Sequence, residues 1–147
     1  MPIKTFRGLI ADDATERVVL HMNDGSIGYR IVKFELMPSK VSIAHTNAVV
    51  QIFSIEDNVA ASSTIDFSNN TLLAAARYVD RVNVEMSEAT IFDSMIFNQD
   101  IYIKYKDADA ATEINYYLEL EQIKLDLSES TAASLKDIRN VYSQITT

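Results

Sequence analysis

Across residues 115–127, Asn-Tyr-Tyr-Leu-Glu-Leu-Glu-Gln-Ile-Lys-Leu-Asp-Leu, apolar and polar side chains alternate at every second position. That is the period at which a pleated strand sends side chains to one face. Tyr116, Leu118 and Leu120 share a face, and so do Ile123, Leu125 and Leu127. The step from Leu120 to Ile123 is odd, so a regular strand would turn the two sets to opposite faces. Either the strand crosses between two environments, or an extra residue near Glu121-Gln122 forms a bulge that restores the register. Fully extended, the segment would reach roughly 44 Å, long for a strand in a small domain, and a bend is expected. A strand of this kind needs a second layer to cover its apolar face, which points to a β-sandwich.

The rest of the chain repeats the theme with turn chemistry between runs. Residues 3–10 form a first strand or an arm, interrupted by Gly8, and residues 11–16 a polar turn. Val18, Leu20 and Met22 alternate with Val19 and His21; Asn23-Asp24-Gly25-Ser26 follows, and residues 27–37 form a second run. Asp-Gly between alternating runs predicts a hairpin, because Gly accepts the positive φ such turns require. Pro38 ends the second run, since it cannot donate to a ladder. Two more strands are predicted over residues 40–45 and 48–55, joined at Thr46-Asn47, the second buried on both faces. Residues 56–63 read as loop, 64–67 as a short strand and 68–70 as a turn. Residues 72–79 contain the helix-forming Leu-Leu-Ala-Ala-Ala-Arg, yet Tyr78-Val79 and their surroundings favour a strand. Residues 81–89 are polar, 90–97 alternate, 98–100 turn, 101–106 return as a strand, and 107–113 loop into the long strand.

After Leu127 the period changes: Leu135, Ile138, Tyr142 and Ile145 recur at helical spacing, with Ser128 or Ser130 as N-cap. About nine strands at regular spacing and one helix predict a mainly β, antiparallel two-sheet β-sandwich or jelly-roll-like single domain with a short C-terminal helix. Residues 1–16 would be an arm or first strand, 17–127 the sandwich and 128–147 the helix or tail. No repeat, linker or low-complexity tract interrupts the 147 residues, a length that buries about two-thirds of the unfolded surface.

Composition removes several functions. A net charge of −8 opposes binding to a nucleic-acid backbone, which needs Lys and Arg to displace counterions, and opposes an anionic membrane. With no cysteine there is no thiol nucleophile, disulfide or cysteine zinc site. The first residues lack the apolar core of a secretory signal and no run is long enough to span a membrane, so a soluble protein made in a cytoplasm is expected.

The residue types that carry chemistry are sparse. His21 and His45 sit on different predicted strands with no nucleophile motif beside them, and read as ordinary strand residues. Asp107, Asp109 and Glu113 put three carboxylates in one loop, but the glycine that allows the sharp turn of a calcium loop is missing. A solvated loop explains them, and Asp12-Asp13 and Asp57-Asn58 read as turns. Asn69-Asn70-Thr71 matches the glycosylation pattern with nothing to indicate secretion. Gly8, Gly25 and Gly28 make no phosphate loop. Tyr102, Tyr105, Tyr116 and Tyr117 gather near the last hairpin, where cross-strand packing is their expected use and a sugar-binding face the other. No catalytic, cofactor or metal residue is predicted.

Three stretches are familiar in combination: Gly28-Tyr-Arg-Ile-Val-Lys-Phe-Glu-Leu-Met-Pro38, Phe97-Asn-Gln-Asp-Ile-Tyr-Ile-Lys-Tyr-Lys-Asp107, and Asn115 through Leu127 on to Leu135-Lys-Asp-Ile-Arg-Asn140. Together they resemble small β-sandwich virion structural proteins of tailed phages infecting marine bacteria. The resemblance implies a non-enzymatic particle component, a capsid, capsid-decoration (cement) or tail protein, present in many copies and located in the virion. Its partners would be other copies of itself and major capsid or tail proteins, with no nucleic acid and no membrane. A tail-borne module that recognises a host glycan is the alternative. The amphipathic C-terminal segment could reach a neighbour, so deleting residues 130–147 is expected to impair assembly without unfolding the sheet.

Overall fold

The structure, a computed structural model, describes residues 2–21, 25–40, 46–56, 60–81, 84–108, 112–126, 129 and 133. Its strands are β1 (Ile3–Ile10), β2 (Thr15–Val18), β3 (Ile27–Pro38), β4 (Thr46–Phe53), β5 (Leu72–Arg81), β6 (Val84–Ile91), β7 (Ile101–Asp107) and β8 (Ile114–Lys124). They form two antiparallel sheets, one ordered β1-β8-β3 and the other β2-β7-β4-β5-β6. The predicted mainly β, two-sheet sandwich is the fold.

The pairing is nested: β1 with β8, β2 with β7, β4 with β5, as in a long hairpin rolled up on itself. In such a roll β6 would close against β3. Here β6 stays on β5, and β3 instead receives a single bridge from the segment after β6, where Tyr29 and Phe97 exchange backbone hydrogen bonds of 2.7 and 3.0 Å. The composition of β6 accounts for this departure. Glu85, Ser87, Glu88 and Thr90 suit a strand with both faces in water, and residues 85–90 are all exposed.

The core lies between the sheets. Tyr116, Leu118 and Leu120 of β8 face Ile101, Ile103 and Tyr105 of β7 and Ala48, Val50 and Ile52 of β4, with Tyr29, Ile31, Phe34 and Leu36 from β3. Each fully buried aliphatic side chain contributes about 1.5–3 kcal/mol by leaving water. Gly8 makes room for the Tyr116 ring: a Cβ there would stand 2.8 Å from Tyr116 Cε1.

The five-stranded sheet is covered on its outer side too, as expected for the strand over residues 48–55. Gln51 of β4 points away from the core, yet is buried, and its Nε2 donates to the carbonyls of Ser62 (3.2 Å) and Thr64 (3.1 Å). The Ser54 amide donates to Thr71 at 2.9 Å, and Phe67 meets Phe92 edge to face at 5.2 Å between centroids. The described residues between β4 and β5, 54–56 and 60–71, thus form a strap over the sheet. Beneath it the Lys104 ammonium lies 5.3 Å from the centre of the Phe53 ring.

Several expectations are corrected. The long strand ends at Lys124, and the register irregularity falls not at Glu121-Gln122 but in its partner β3, between Ile31 and Lys33. Gly25 does adopt a positive φ of 64°, but the runs it joins are not a hairpin: β2 pairs with β7 and β3 with β8, in different sheets. A turn signal fixes a local reversal and not the partner of each arm. Thr46 and Asn47 belong to β4 instead of forming a connection, and residues 64–67 belong to the strap. Residues 81–89, read as a polar connection, contain most of β6, whereas 92–97 hold turns and one bridge; an edge strand wetted on both sides carries no period-two signal. Residues 72–79 are β-strand, tertiary context overriding their helix propensity. All but Lys40 of the strand expected over 40–45, and nearly all of the expected C-terminal helix, lie outside the described residues.

Candidate interaction face

The buried carboxylates Asp100 and Asp107 are bonded by the fold itself. Asp100, 5% exposed, sits in the turn before β7, and its Oδ1 accepts the backbone amides of Leu20 (2.8 Å) and His21 (3.0 Å) and the His21 ring Nδ1 (2.8 Å). Its Oδ2 accepts Arg17 Nε at 2.7 Å and is paired with the same guanidinium through Nη2. Burial would raise the Asp100 pKa, but the amides of His21 and Leu20, the His21 ring and Arg17 outweigh it and hold the carboxyl well below its ordinary range. His21 therefore lies beyond the end of β2 as a clamp on Asp100 and is not the plain strand residue expected. The carboxylate can only accept, so Nδ1 is the donor in this contact. Among the described residues no hydroxyl is hydrogen-bonded to the His21 ring. His45 lies outside the described residues.

The acidic loop resolves similarly. Asp107 is buried; Oδ1 accepts the Asn47 amide at 3.3 Å, and Oδ2 accepts the Thr112 amide and hydroxyl, each at 3.2 Å. Asp12 caps the Asp107 amide at 2.7 Å, and Asp13, at a left-handed φ of 66°, pairs with Lys106 at 2.8 Å. Asp107 and Asp12 thus tie loops together, as turn residues do. Glu113 is exposed, while Asp109 and the Asp57-Asn58 pair lie outside the described residues. Asn69 turns the chain by accepting the amide and hydroxyl of Thr71 at 3.0 and 2.7 Å.

The four tyrosines divide. Tyr105 and Tyr116 are core residues whose hydroxyls donate to Thr112 O (2.6 Å) and Glu16 Oε1 (3.0 Å), the latter joining the two sheets. Tyr102 is buried on the outer side of β7. Tyr117 alone faces outward from the three-stranded sheet, in a row with Arg7 and Glu35 on the flanking strands. The next row holds Leu9, Asn115 and Met37. These six side chains line an open depression of about 530 Å³. Leu9 is 50% and Met37 65% exposed, so two large apolar side chains stand at the depression. Tyr117 donates to Glu119 at 2.9 Å, and the Lys33 ammonium lies 5.9 Å from its ring centre. Cross-strand spacing predicts such rows only once the pairing is known, and β1 to β8 spans the whole chain. Sequence reasoning therefore named Tyr117 but not Arg7, Glu35, Asn115, Leu9 or Met37.

Among the described residues no cluster of three or more His, Cys, Asp or Glu has the geometry to hold a metal. No helix there is long and apolar enough to cross a membrane.

No family model matches the chain, and no curated protein matches it. Among solved structures, one provisionally assigned as a glycoside hydrolase, from Bacteroides thetaiotaomicron, is similar over 86% of this chain at 11% identity and a TM-score of 0.31. This chain spans about half of it, 49% of its length. A likeness that loose bears on neither fold nor activity.

Proposed function

We propose that this chain is a non-enzymatic structural subunit of a phage particle, in the capsid, its decoration or the tail, working by self-assembly or by binding a lattice. The observation that carries the reading is where the polar groups go. The buried carboxylates Asp100 and Asp107 are bonded to backbone amides and neighbouring side chains, whereas among the described residues nothing pairs with the outer edges of β1 and β6 or packs on the outer face of β1-β8-β3. Surfaces, not a pocket of reactive groups, are what such a molecule offers a partner. The sequence stretches that resemble virion proteins supply β3, β7 and β8, the framework strands, so the likeness concerns a scaffold and not a chemistry. An acidic surface keeps a protein made in many copies soluble before it assembles. Quantitative mass spectrometry of gradient-purified particles from the source of this chain tests the reading. Tens to hundreds of copies per particle are expected, and absence from particles would sink it.

The depression around Tyr117 favours a second reading, a tail-borne module that binds a host glycan. A ring edge flanked by a guanidinium, a carboxylate and an amide offers both stacking and paired hydrogen bonds to sugar hydroxyls. Glycan-array binding that is lost in Tyr117→Ala and Asn115→Ala would establish it; an array without signal would remove it.

A further inference from the structure

The outer edges of β1 and β6 are complementary in charge, spacing and orientation. β1 carries Lys4 and Arg7 and no acid; β6 carries Glu85 and Glu88 and no base. Both pairs are three residues apart. One antiparallel register therefore sets Lys4 opposite Glu88 and Arg7 opposite Glu85, with Thr5 opposite Ser87 and Phe6 opposite Met86 between them. Opposite charges directly across a ladder attract, whereas pairing either edge with its own copy gathers like charges.

The two edges also lie where such a junction needs them. β3 packs across β5 and β6, while Tyr116 on β8 reaches Glu16 on β2, so β6 and β1 occupy opposite flanks of the sandwich. Within each sheet the strands alternate in direction, and β1 turns into β2 through four residues, so β2, β4 and β6 run opposite to β1. A second copy shifted sideways with little rotation hence presents its β6 antiparallel to β1. The inner face of one sheet and the outer face of the other point the same way, and the register obeys this. Lys4 and Phe6 lie on the inner side of β1, opposite Leu120 and Leu118, while Met86 and Glu88 lie on the outer side of β6 with Arg77.

We propose that β1 of one copy adds to β6 of the next, joining the three-stranded sheet of the first to the five-stranded sheet of the second. The contact is heterologous, so it closes into a ring or runs on as a filament according to the rotation per step. Charged edges that discourage indiscriminate pairing become selective when their signs are opposite. The inference rests on the reading of the chain as a self-assembling subunit and adds which surfaces meet and in what register.

The chain has no cysteine, so Thr5→Cys combined with Ser87→Cys tests the register in the full-length protein without background. Mild oxidation of the double variant is expected to give a ladder of covalent multimers, each single variant staying monomeric. Covalent dimers from T5C or S87C alone would mean that like edges pair and would overturn the inference. So would a double variant with unchanged circular dichroism that stays monomeric at high concentration. Charge reversal gives an independent check by sedimentation: K4E/R7E and E85K/E88K should each associate about tenfold or more less tightly than the parent. Mixed together they should associate again, since each then offers an edge the other complements; a mixture that stays dissociated overturns the proposal. Particle composition separates the two failures. Abundance in particles without a ladder overturns the edge pairing alone, whereas a ladder from a chain absent from particles supports the pairing and sinks the virion reading.

Discussion

Asp100 Oδ1 accepts the Leu20 backbone amide at 2.8 Å across 80 residues of sequence. With the His21 amide on the same oxygen, the bond fastens the chain leaving β2 to the turn that starts β7. Asp100→Ala would leave the buried Leu20 amide and the His21 amide without their acceptor and a half-exposed guanidinium without its partner. It should destabilise the fold by about 2–4 kcal/mol, read from the urea midpoint. Asp100→Asn keeps one acceptor and should cost about 1–2 kcal/mol.

The same carboxylate predicts an acid limb. Its folded pKa lies below that of an unfolded aspartate, about 3.9, so the unfolded chain takes up the proton first as pH falls. The stabilisation is fully present above about pH 5 and is lost as the pH drops through the acid range. Urea midpoints between about pH 3 and 7 should fall on the acid side for the parent and fall less for Asp100→Asn. Equal slopes would show that other carboxylates govern the acid limb.

Gly8→Ala should be costly although β1 is an edge strand. Its Cβ would meet Tyr116 Cε1 at 2.8 Å and the phenol oxygen at 3.0 Å, and that ring is buried and held by Glu16. The expected loss is about 1–3 kcal/mol, the usual result of overfilling a packed site. In the double variant with Tyr116→Leu the loss from Gly8→Ala should shrink, a coupling visible in a double-mutant cycle. Additive losses would refute the contact as the cause.

What the sequence made legible was the alternation of residues packed on one face. Tyr116, Leu118 and Leu120 face the core together as their spacing required, and Pro38 ends β3 as its missing donor required. What it hid falls in two classes. β6 has no apolar face, so periodicity had nothing to report. Pairings such as Leu20 with Asp100, or Arg7 with Tyr117, join distant positions that no local pattern links. The Gly25 turn shows the boundary between them: its positive φ was readable, but the assignment of its two arms to different sheets was settled by which faces could be buried.

Tyr105 and Tyr116 predict an alkaline limb of opposite sign. Burial raises both phenols above the ordinary tyrosine value, with Asp107 adding to the effect at Tyr105 and Glu16 at Tyr116. The folded state therefore keeps these protons to higher pH than the unfolded chain, where tyrosine titrates near about 10. Their contribution is complete below about pH 10 and is lost as pH rises further. Tyr105 and Tyr116 should develop tyrosinate absorbance only as the fold is lost. Tyr116→Phe should cost about 1 kcal/mol near neutrality and flatten the alkaline limb. Full tyrosinate absorbance from a chain that retains its β-sheet circular dichroism would contradict this.

Gln51 predicts the behaviour of the strap. Its amide donates to two carbonyls, Ser62 and Thr64, from a buried position on the outer side of β4, so strap and sheet are joined by a donor with no substitute among its strand neighbours Val50 and Ile52. Gln51→Leu removes both bonds and leaves two carbonyl oxygens to find water. It should cost about 1–3 kcal/mol and speed amide exchange between residues 60 and 71 while β4 and β7 stay protected. Gln51→Glu keeps the length of the side chain but loses the donor and sets a carboxylate directly across the ladder from Lys104, so its strap should also exchange faster. A strap whose exchange is unchanged in both variants would mean that Phe67 on Phe92 and Ser54 on Thr71 hold it without Gln51.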